Sequence, residues 1–259
     1  MRNLVLSYHD ALLYKSDIRI LEDPREWLND AVIHFQMMRY QHNEGNVLGW
    51  KNPPKHKLIF IDPAVISFIV HQCDNGAPFG GEETLQCLKS NNIVSIENPT
   101  TVQGQIQQAI FCPINDTNDA SELGRHNFTS SVSSMGSHWS LLVIVIVDHR
   151  TTLFYHFDSS DPINQLAATT VANKIASSLK QDMNLINCET PIQPNCYDCG
   201  IYCLAITKIL AIYILGHWKN CDITCLDEQF ESELAFSNFG SEFAKKNRSE
   251  ILHAVNRLQ

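Results

Sequence analysis

The sequence lacks a dense cluster of basic residues. Lysine and arginine total 19 against 28 aspartate and glutamate residues, and the net charge at pH 7 is −9. Lys245 and Lys246 form the densest basic pair near the C-terminus. Binding to the phosphates of nucleic acids requires clustered lysine and arginine side chains. We therefore predict that nucleic acid is not a partner of this protein.

Long apolar stretches are scarce as well. The residues before Ser7 contain no sustained apolar run, so we predict no signal peptide. The most apolar segment, residues 201–215, contains Lys208 and is about one turn short of what a membrane-spanning helix needs. The sequence therefore predicts a buried core helix over this segment and no membrane partner.

The nine cysteines are not accompanied by a predicted secretory signal. Disulfides are rare in reducing compartments, so we expect free thiols and a cytoplasmic and/or nuclear location. The chain of 259 residues is 44% hydrophobic and 18% charged, which is typical of a globular protein. We predict a monomer with a single domain over residues 1–259, in which residues 1–22 form an N-terminal arm.

The order of patterns along the chain predicts an α+β fold, with a central mixed sheet flanked by helices. An N-cap pattern places a helix start at Asp23 or at Asn29. The other expected elements are a loop over 41–57, a strand and a helix over 57–73, a strand over 106–114, a mobile loop insertion over 115–137, a helix over 165–183 and a helical C-terminus.

The clearest pattern is a β-hairpin. Residues 141–147 form an unbroken apolar, β-branched run, which is typical of a central strand covered on both faces. A polar turn over residues 148–151 separates this run from a second strand over residues 152–158. An antiparallel hairpin about this turn would pair residues whose numbers sum to about 296, which would bring His138 and Asp158 side by side at one end of the sheet.

The segment PNCYDCGIYCLAI holds three cysteines in eight positions. Cys196 and Cys199 would form a zinc site together with Cys221 and Cys225, or a thioredoxin-like redox pair on their own. No histidine pair supports the zinc site, and Asp198 would disfavour the thiolate that a redox pair requires. Inert core packing is predicted for five other cysteines: Cys73, Cys87, Cys112, Cys188 and Cys203.

Cys199 differs from the other cysteines by its position. It lies where an extended segment passes into an apolar helix, so the unpaired amides of the first turn would favour the thiolate. Gly200 would leave room for a substrate carbonyl, and the amides of the first turn would donate hydrogen bonds to an oxyanion. Cys199 is therefore a candidate nucleophile.

A nucleophilic cysteine needs a histidine base and a group that orients this base. His138 stands immediately before the first hairpin strand, and Asp158 closes the second. His156 is the main rival base because it shares a strand face with Asp158, but it lies inside the strand. Asp161 is the main rival for the orienting role. We assign the base to His138 and the orienting group to Asp158.

The segments GSHWSLLVIV, FYHFDSS and QPNCYDCGIYC resemble the ubiquitin-like-protein-specific cysteine proteases, the sentrin-specific protease family. In this family the catalytic order is His, Asp, Gln, Cys, and the glutamine lines the oxyanion hole. The resemblance implies catalytic roles for His138, Asp158 and Cys199, and an oxyanion role for Gln193. It also implies a papain-like cysteine protease fold of the ubiquitin-like-protein protease type, with no metal or other cofactor.

The N-terminal segment LVLSYHDALLYKSDIRILEDPREWLNDAVI resembles the deneddylase branch of the same family, in which the arm packs against the modifier. The resemblance implies that Trp27 and Trp139 form a narrow tunnel for a Gly-Gly tail, and that Asn29 and Asp30 also bind the substrate. Two indoles can enclose a strip of backbone that is too thin to carry side chains.

The activity that this resemblance implies is a thiol protease and isopeptidase acting after the C-terminal Gly-Gly of a ubiquitin-like modifier. The neddylation modifier is the expected partner, with SUMO or ubiquitin as other possibilities. Its precursor and its conjugates, such as those of cullin-type proteins, are the expected substrates. Three alternatives stay open: a SUMO-directed protease with the same chemistry, an acyltransferase on the same fold, and an inactive module that binds the modifier.

Overall fold

The structure is a computed structural model that describes residues 3–50, 57–93, 106–118, 138–147, 151–160, 163–218 and 222–259. Its strands are β1 (Leu4–Tyr8), β2 (Ala11–Tyr14), β3 (Leu58–Phe60), β4 (Gln108–Asn115), β5 (Trp139–Ile146), β6 (Thr152–Phe157) and β7 (Leu185–Asn187). The last five form one sheet in the order β3–β4–β5–β6–β7. The outer pairs of this sheet are parallel and the inner pairs are antiparallel. The predicted mixed sheet is confirmed.

Helices cover both faces of the sheet. Those of the described residues are α1 (Lys15–Glu22), α2 (Asp30–Gln41), α3 (Pro63–His71), α4 (Glu82–Ser90), α5 (Gln165–Ser178), α6 (Cys199–His217), α7 (Leu226–Ala235) and α8 (Ser241–Leu258). One apolar cluster joins the sheet to α2, α6, α7 and α8, and a second joins it to α3, α4 and α5. All eight residues of β5 are buried between the two clusters. This double burial explains the unbroken apolar run in the sequence.

The helix predicted to begin at Asp23 or at Asn29 begins at the second position. Asn29 Oδ1 accepts a hydrogen bond from the Val32 backbone amide at 3.1 Å, which is the usual contact of an N-cap. The Asp23 carboxylate instead accepts one from the Arg25 backbone amide at 2.9 Å, just after the end of α1. A helix start at Asp23 is therefore wrong, because this residue ends α1 and begins the turn that follows it.

The N-terminal arm packs into the core. β1 and β2 form an antiparallel hairpin, and its inward side chains Leu6, Ala11 and Leu13 are buried. The ring of Tyr8 meets that of Phe35 in α2 edge to face at 5.9 Å, and α1 packs against α8. The arm is therefore anchored to helices from both ends of the chain, and its contact with a modifier stays a prediction.

The helix α6 runs through the centre of one helical layer. By length and composition alone it would be able to cross a bilayer, but 72% of its most apolar window is buried inside the fold. It is thus the core helix that residues 201–215 predict. Because its first residue is Cys199, the packing of this helix also fixes where the candidate nucleophile lies.

The helix α5 ends at Ser178, before the predicted end at Met183. Lys180 has a φ of +56°, and the Gln181 amide donates a hydrogen bond to the Ala176 carbonyl at 2.9 Å. This is the closing pattern of a Schellman motif, in which one left-handed residue stops the helix. The predicted extension is wrong, because a lysine gives no sign of a left-handed conformation.

Several predicted features lie outside the described residues. They include most of the loop insertion, residues 119–137, the tip of the hairpin, residues 148–150, and Cys221. The described part of the insertion is Asn115, which ends β4, and the short 3-10 turn Asp116–Asn118.

Candidate active site

Cys199 is the first residue of α6, and only 1% of its surface is exposed. Asp198 precedes it as the N-cap residue, so the unpaired amides of the first turn favour negative charge at the sulfur. Gly200 packs closely against Leu28, since a Cβ at this position would lie 2.9 Å from the Leu28 Cβ. The expected space for a substrate carbonyl at Gly200 is therefore filled by the segment that carries Trp27.

The β5–β6 hairpin brings His138 and Asp158 together. His138 Nε2 and Asp158 Oδ1 lie 2.5 Å apart, and both side chains are buried. The predicted register is wrong by two residues: Leu141 pairs with Phe157, which places Asp158 opposite Ser140 when the ladder is extended. The two side chains meet diagonally, within the reach of cross-strand neighbours. A two-residue slip keeps every side chain on its own face, so the contact is preserved.

Asp158 is held as a carboxylate by three hydrogen bonds. Its Oδ1 accepts from the His138 ring and from the Ser160 backbone amide at 2.9 Å, and its Oδ2 accepts from the Asn164 backbone amide at 2.9 Å. Burial raises the pKa of Asp158, but the hydrogen bonds from His138 and the two amides outweigh it and hold this pKa below its usual range. Asp158 is therefore ionised at neutral pH.

Asn164 is a buried residue of the site that sequence patterns do not single out. Its Nδ2 donates hydrogen bonds to the carbonyls of Ile114 at 3.1 Å and His138 at 3.2 Å, while its backbone amide binds Asp158. The residue thus fixes the backbone of one site residue and the carboxylate of the other. An asparagine before α5 is usually interpreted as an N-cap, but this side chain makes no capping bond.

The imidazole of His138 interacts with both Asp158 and Cys199. Because Nε2 contacts Asp158, Nδ1 is the nitrogen left for the thiol. Burial lowers the pKa of His138, but hydrogen bonds and charge interactions with Asp158 and Cys199 outweigh it and raise this pKa to about 9. The arrangement therefore favours an imidazolium at neutral pH, which is the form that pairs with a thiolate.

We expect the protein to lose stability as the pH rises toward 9. The pKa of His138 is about 9 in the folded protein, against 6.5 for the free side chain. Its contribution is complete below about pH 6.5 and is lost as the pH rises through about 9. The loss should be about 2–3 kcal/mol, since one pKa unit corresponds to about 1.4 kcal/mol. The free energy of unfolding in denaturant, measured across this range, tests it.

The control for this experiment is His138→Gln, which keeps a polar side chain without the titrating group. The variant should lose much less stability between pH 6.5 and 9 than the unchanged protein. An equal loss in both proteins would show that other groups cause it.

His156, the rival base, belongs to a separate buried network. Its Nε2 lies 2.9 Å from the Ser140 hydroxyl, and its Nδ1 lies 3.0 Å from the Asn187 side-chain oxygen. Both ring nitrogens thus meet neutral side chains of the sheet. Asp161, the rival orienting group, lies outside the described residues. The geometry therefore favours His138 as the partner of Cys199.

Gln193 is buried, and both ends of its side-chain amide are held. The Ser159 hydroxyl donates to Oε1 at 2.6 Å, and Nε2 donates to the Asn195 carbonyl at 2.6 Å. The backbone amide of Gln193 also donates to the Ser159 carbonyl at 3.0 Å. The hydroxyl thus sets which end of the amide carries the N–H groups. Nε2 has two such groups, and among the described residues the bond to Asn195 uses one of them.

A cleft of about 700 Å³ is lined by all four residues predicted to bind the substrate, Trp27, Asn29, Asp30 and Trp139. Trp139 is buried, and its Nε1 donates a hydrogen bond to the Leu28 carbonyl at 2.9 Å. Trp27 is 40% exposed. One indole is therefore fixed in the wall of the cleft and the other faces solvent. Substrate binding by these residues stays a prediction.

The two polar residues that were predicted to bind the substrate differ in how their side chains are used. Asn29 caps α2 through Oδ1, and its Nδ2 donates a hydrogen bond to Asp17 Oδ1 at 2.9 Å. The amide of Asn29 is thus engaged within the protein. Asp30, the first residue of α2, is exposed. The carboxylate of Asp30 is therefore the better placed of the two to contact a ligand.

The other cysteines of the PNCYDCGIYC segment occupy different environments. Cys196 is exposed, whereas Cys203 is buried and its thiol donates to the Ser140 carbonyl at 3.2 Å. Burial raises the pKa of the Cys203 thiol, which disfavours its reactive form. Within the described ranges, no three His, Cys, Asp or Glu side chains are grouped as metal ligands. Cys221, which the zinc hypothesis requires, lies outside those ranges.

The site combines a thiol at a helix start with a buried His–Asp pair, on a mixed sheet that helices cover. This is the arrangement of a cysteine-type peptidase. Residues 26–232 match the family model described as Ulp1 protease family, C-terminal catalytic domain. The chain belongs to this family and is a cysteine protease. The family resemblance carried by the sequence motifs is thereby confirmed.

Individual relatives extend this comparison. The chain is 28% identical to probable sentrin-specific protease 8 of Dictyostelium discoideum, over 99% of this chain and 98% of that protein. It is 26% identical to NEDD8-specific protease 1 of Arabidopsis thaliana, over 98% of this chain and 93% of that protein. A solved structure of the SUMO protease Ulp1, with its catalytic cysteine oxidized to a sulfenic acid, matches with a TM-score of 0.57 at 19% identity, covering 99% of this chain and 90% of that chain. This last likeness is one of fold.

Proposed function

We propose that this protease hydrolyses the bond after the C-terminal Gly-Gly of a ubiquitin-like modifier, with a NEDD8-type modifier as the preferred substrate. The observation that carries the proposal is the buried pair of His138 and Asp158, which interacts with Cys199 at the start of α6. Relatives named sentrin-specific protease 8 and NEDD8-specific protease 1 support the choice of modifier.

In the first half of the reaction, the Cys199 thiolate attacks the carbonyl carbon of the modifier's last glycine. The proton that leaves the thiol is held by His138 and passes to the leaving amine as the C–N bond breaks. A thioester between the modifier and Cys199 results. Asp158 keeps the imidazole oriented and stabilises its positive charge throughout.

In the second half, a water molecule attacks the thioester while His138 takes one of its protons. The C–S bond breaks, the modifier leaves with a free carboxylate, and Cys199 regains its starting form. Both tetrahedral intermediates carry an oxyanion. We assign its stabilisation to the second N–H of Gln193 Nε2 and to the backbone amides of the first turn of α6.

The cleft lined by Trp27 and Trp139 suits an extended tail without side chains. Trp139 is fixed by its hydrogen bond to the Leu28 carbonyl, so the wall next to His138 is set before a substrate arrives. Glycine residues let a backbone lie close to an aromatic ring, whereas a larger side chain would meet it. This requirement accounts for a preference for Gly-Gly.

The body of the modifier would bind along the N-terminal arm. Leu4 and Leu12 of the β1–β2 hairpin are exposed large apolar side chains. Exposed apolar groups on a rigid hairpin suit a protein partner. Conjugates of cullin-type proteins and the modifier precursor are the substrates we propose for a monomeric enzyme.

The choice of modifier is tested with a panel of C-terminal fluorophore conjugates. We expect kcat/KM for the NEDD8 conjugate to exceed the values for SUMO and ubiquitin by about 100-fold or more, which requires about 2.7 kcal/mol of transition-state discrimination. Release of the fluorophore under steady-state conditions is the measurement.

The Cys199→Ala variant serves as the blank for all three conjugates. Equal rates on the SUMO and NEDD8 conjugates would remove the proposed specificity and leave a protease of broader range. Faster release from SUMO would assign the enzyme to that modifier instead.

A further inference from the structure

Asp198 places a carboxylate directly before the candidate nucleophile. A negative charge at this position disfavours the thiolate of Cys199. The structure shows what opposes it: Arg248 Nη2 of α8 lies 3.5 Å from Asp198 Oδ1, and both side chains are more than nine-tenths buried. Asp198 Oδ2 accepts a hydrogen bond from Asn195 Nδ2 at 2.8 Å, so the carboxylate is held from both sides.

Three backbone carbonyls fix the guanidinium of Arg248. Its Nη1 donates to the carbonyls of Ile20 at 2.8 Å and Asp23 at 3.3 Å, and its Nη2 donates to that of Glu26 at 2.8 Å. These carbonyls belong to the end of α1 and to the segment that leads to Trp27. Arg248 thus connects a wall of the substrate cleft to the residue before the nucleophile.

Arg248 also lies within electrostatic range of the thiol. Burial lowers the pKa of Arg248, and its interactions with Asp198, Asp23 and Cys199 raise it. A guanidinium stays charged under all ordinary conditions. Cys203, one turn further along α6, is a buried thiol and adds no charge at neutral pH.

Positive and negative groups are equal in number around Cys199, counted over the elements that pack against it. His138 and Asp158 contribute an imidazolium and a carboxylate from the sheet, and Arg248 and Asp198 contribute a guanidinium and a carboxylate from the helices. The thiolate therefore meets two positive and two negative groups. Without Arg248 the negative groups would be in excess, in a site where burial strengthens their effect.

We propose that Arg248 is a positioning residue for catalysis, which offsets the charge of Asp198 and so favours the thiolate form of Cys199 over the thiol. The inference rests on the proposed role of Cys199 as nucleophile. Arg248 lies beyond residues 26–232, which match the family model. The C-terminal helix is therefore expected to act on the chemistry as well as on the packing.

Alkylation by iodoacetamide tests this directly, because the thiolate sulfur displaces iodide as the new C–S bond forms. The rate of modification at Cys199 is followed by mass spectrometry from pH 4 to 9. In Arg248→Met the midpoint of the pH profile should rise by about one unit. In the double variant with Asp198→Asn it should return close to that of the unchanged protein, since the charge balance is restored.

Arg257→Met is the matched control, because Arg257 lies on the same helix and pairs with Glu44 at 2.9 Å near the surface. Its profile should not move. Asp198→Asn alone should lower the midpoint of the pH profile. If Arg248→Met does not fold, this near-isosteric variant tests the inference instead. An unshifted midpoint in the folded Arg248→Met protein, or failing that in Asp198→Asn, would overturn the inference.

Failure of the proposed function looks different in the same experiment. If Cys199 is not the nucleophile, iodoacetamide would not modify it preferentially in the unchanged protein, and Cys199→Ala would retain turnover. That result needs no variant of Arg248. A reactive Cys199 with an unchanged profile in Arg248→Met would count against Arg248 alone.

Discussion

Replacing Cys199 with alanine is expected to lower kcat/KM for a modifier–fluorophore conjugate by about 10⁴-fold or more, which is the scale of losing a nucleophile. The sulfur is the atom that forms the thioester, and the neighbouring thiol of Cys203 is turned to the Ser140 carbonyl. The oxyanion donors and the substrate cleft remain in this variant, so the residual rate should still exceed that of the uncatalysed reaction by about 10³- to 10⁴-fold. Steady-state release of the fluorophore measures the effect.

The matched control is Cys196→Ala, which removes an exposed thiol from the same segment. This variant should keep its activity within about threefold, because surface substitutions usually change stability little. Cys199→Ala should still bind the intact modifier, as shown by fluorescence anisotropy. A comparable loss of activity in both variants, together with bound zinc, would contradict the single-nucleophile mechanism and favour a metal site.

Replacing Asp158 with asparagine is expected to lower kcat by about 10⁴-fold, the loss seen when the orienting carboxylate of a catalytic triad is replaced by an amide. Both Asp158 oxygens accept hydrogen bonds, from His138 and the amides of Ser160 and Asn164. An asparagine would have to turn its NH₂ group toward one of these donors. Either the imidazole tautomer or the local backbone must then change.

The pH profile separates this effect from simple misfolding. The pKa of His138 is about 9, and the hydrogen bond with Asp158 is the largest interaction that raises it. The alkaline limb of the kcat/KM profile should therefore lie near pH 9 in the unchanged enzyme. In Asp158→Asn the limb should move down, toward the ordinary histidine value of about 6.5. Measurement of kcat/KM from pH 5 to 10 shows the position of each limb.

His156→Gln is the control for this second experiment. His156 is another buried histidine of the same hairpin, and its two ring nitrogens contact the side chains of Asn187 and Ser140. The variant is expected to lose some stability while the alkaline limb stays near pH 9. A shift of the limb in His156→Gln, with none in Asp158→Asn, would mean that the assigned base is wrong.

The parts of the site that follow one strand or one helix were accessible to sequence reasoning. The run in β5 is apolar throughout because both of its faces are buried, and this identified the hairpin that carries His138 and Asp158. The change from an extended segment to an apolar helix located Cys199 at a helix start. In both cases local composition reports directly on local burial.

The remaining parts depend on contacts between distant segments. Asn164 binds the carbonyl of Ile114 across the sheet, and Arg248 binds that of Ile20 from the opposite end of the chain. Neither residue type carries a local signal for such a role. The register of β5 and β6 was predicted two residues off, because polar residues indicate a turn without fixing its centre. The end of α5 was predicted too late, because a lysine side chain does not indicate the left-handed backbone conformation that Lys180 adopts.

The order in which the chain is synthesised gives the last helix a particular importance. Ile251 and Val255 of α8 are buried in the same cluster as α6, and Arg248 binds the carbonyl of Ile20 in the N-terminal arm and that of Glu26. None of these contacts can form until α8 has left the ribosome. Cys199 and the start of α6 therefore leave the ribosome before α8, which contributes to their surroundings in the folded protein. Proteolytic activity is therefore expected only once α8 has packed against α6 and the N-terminal segments.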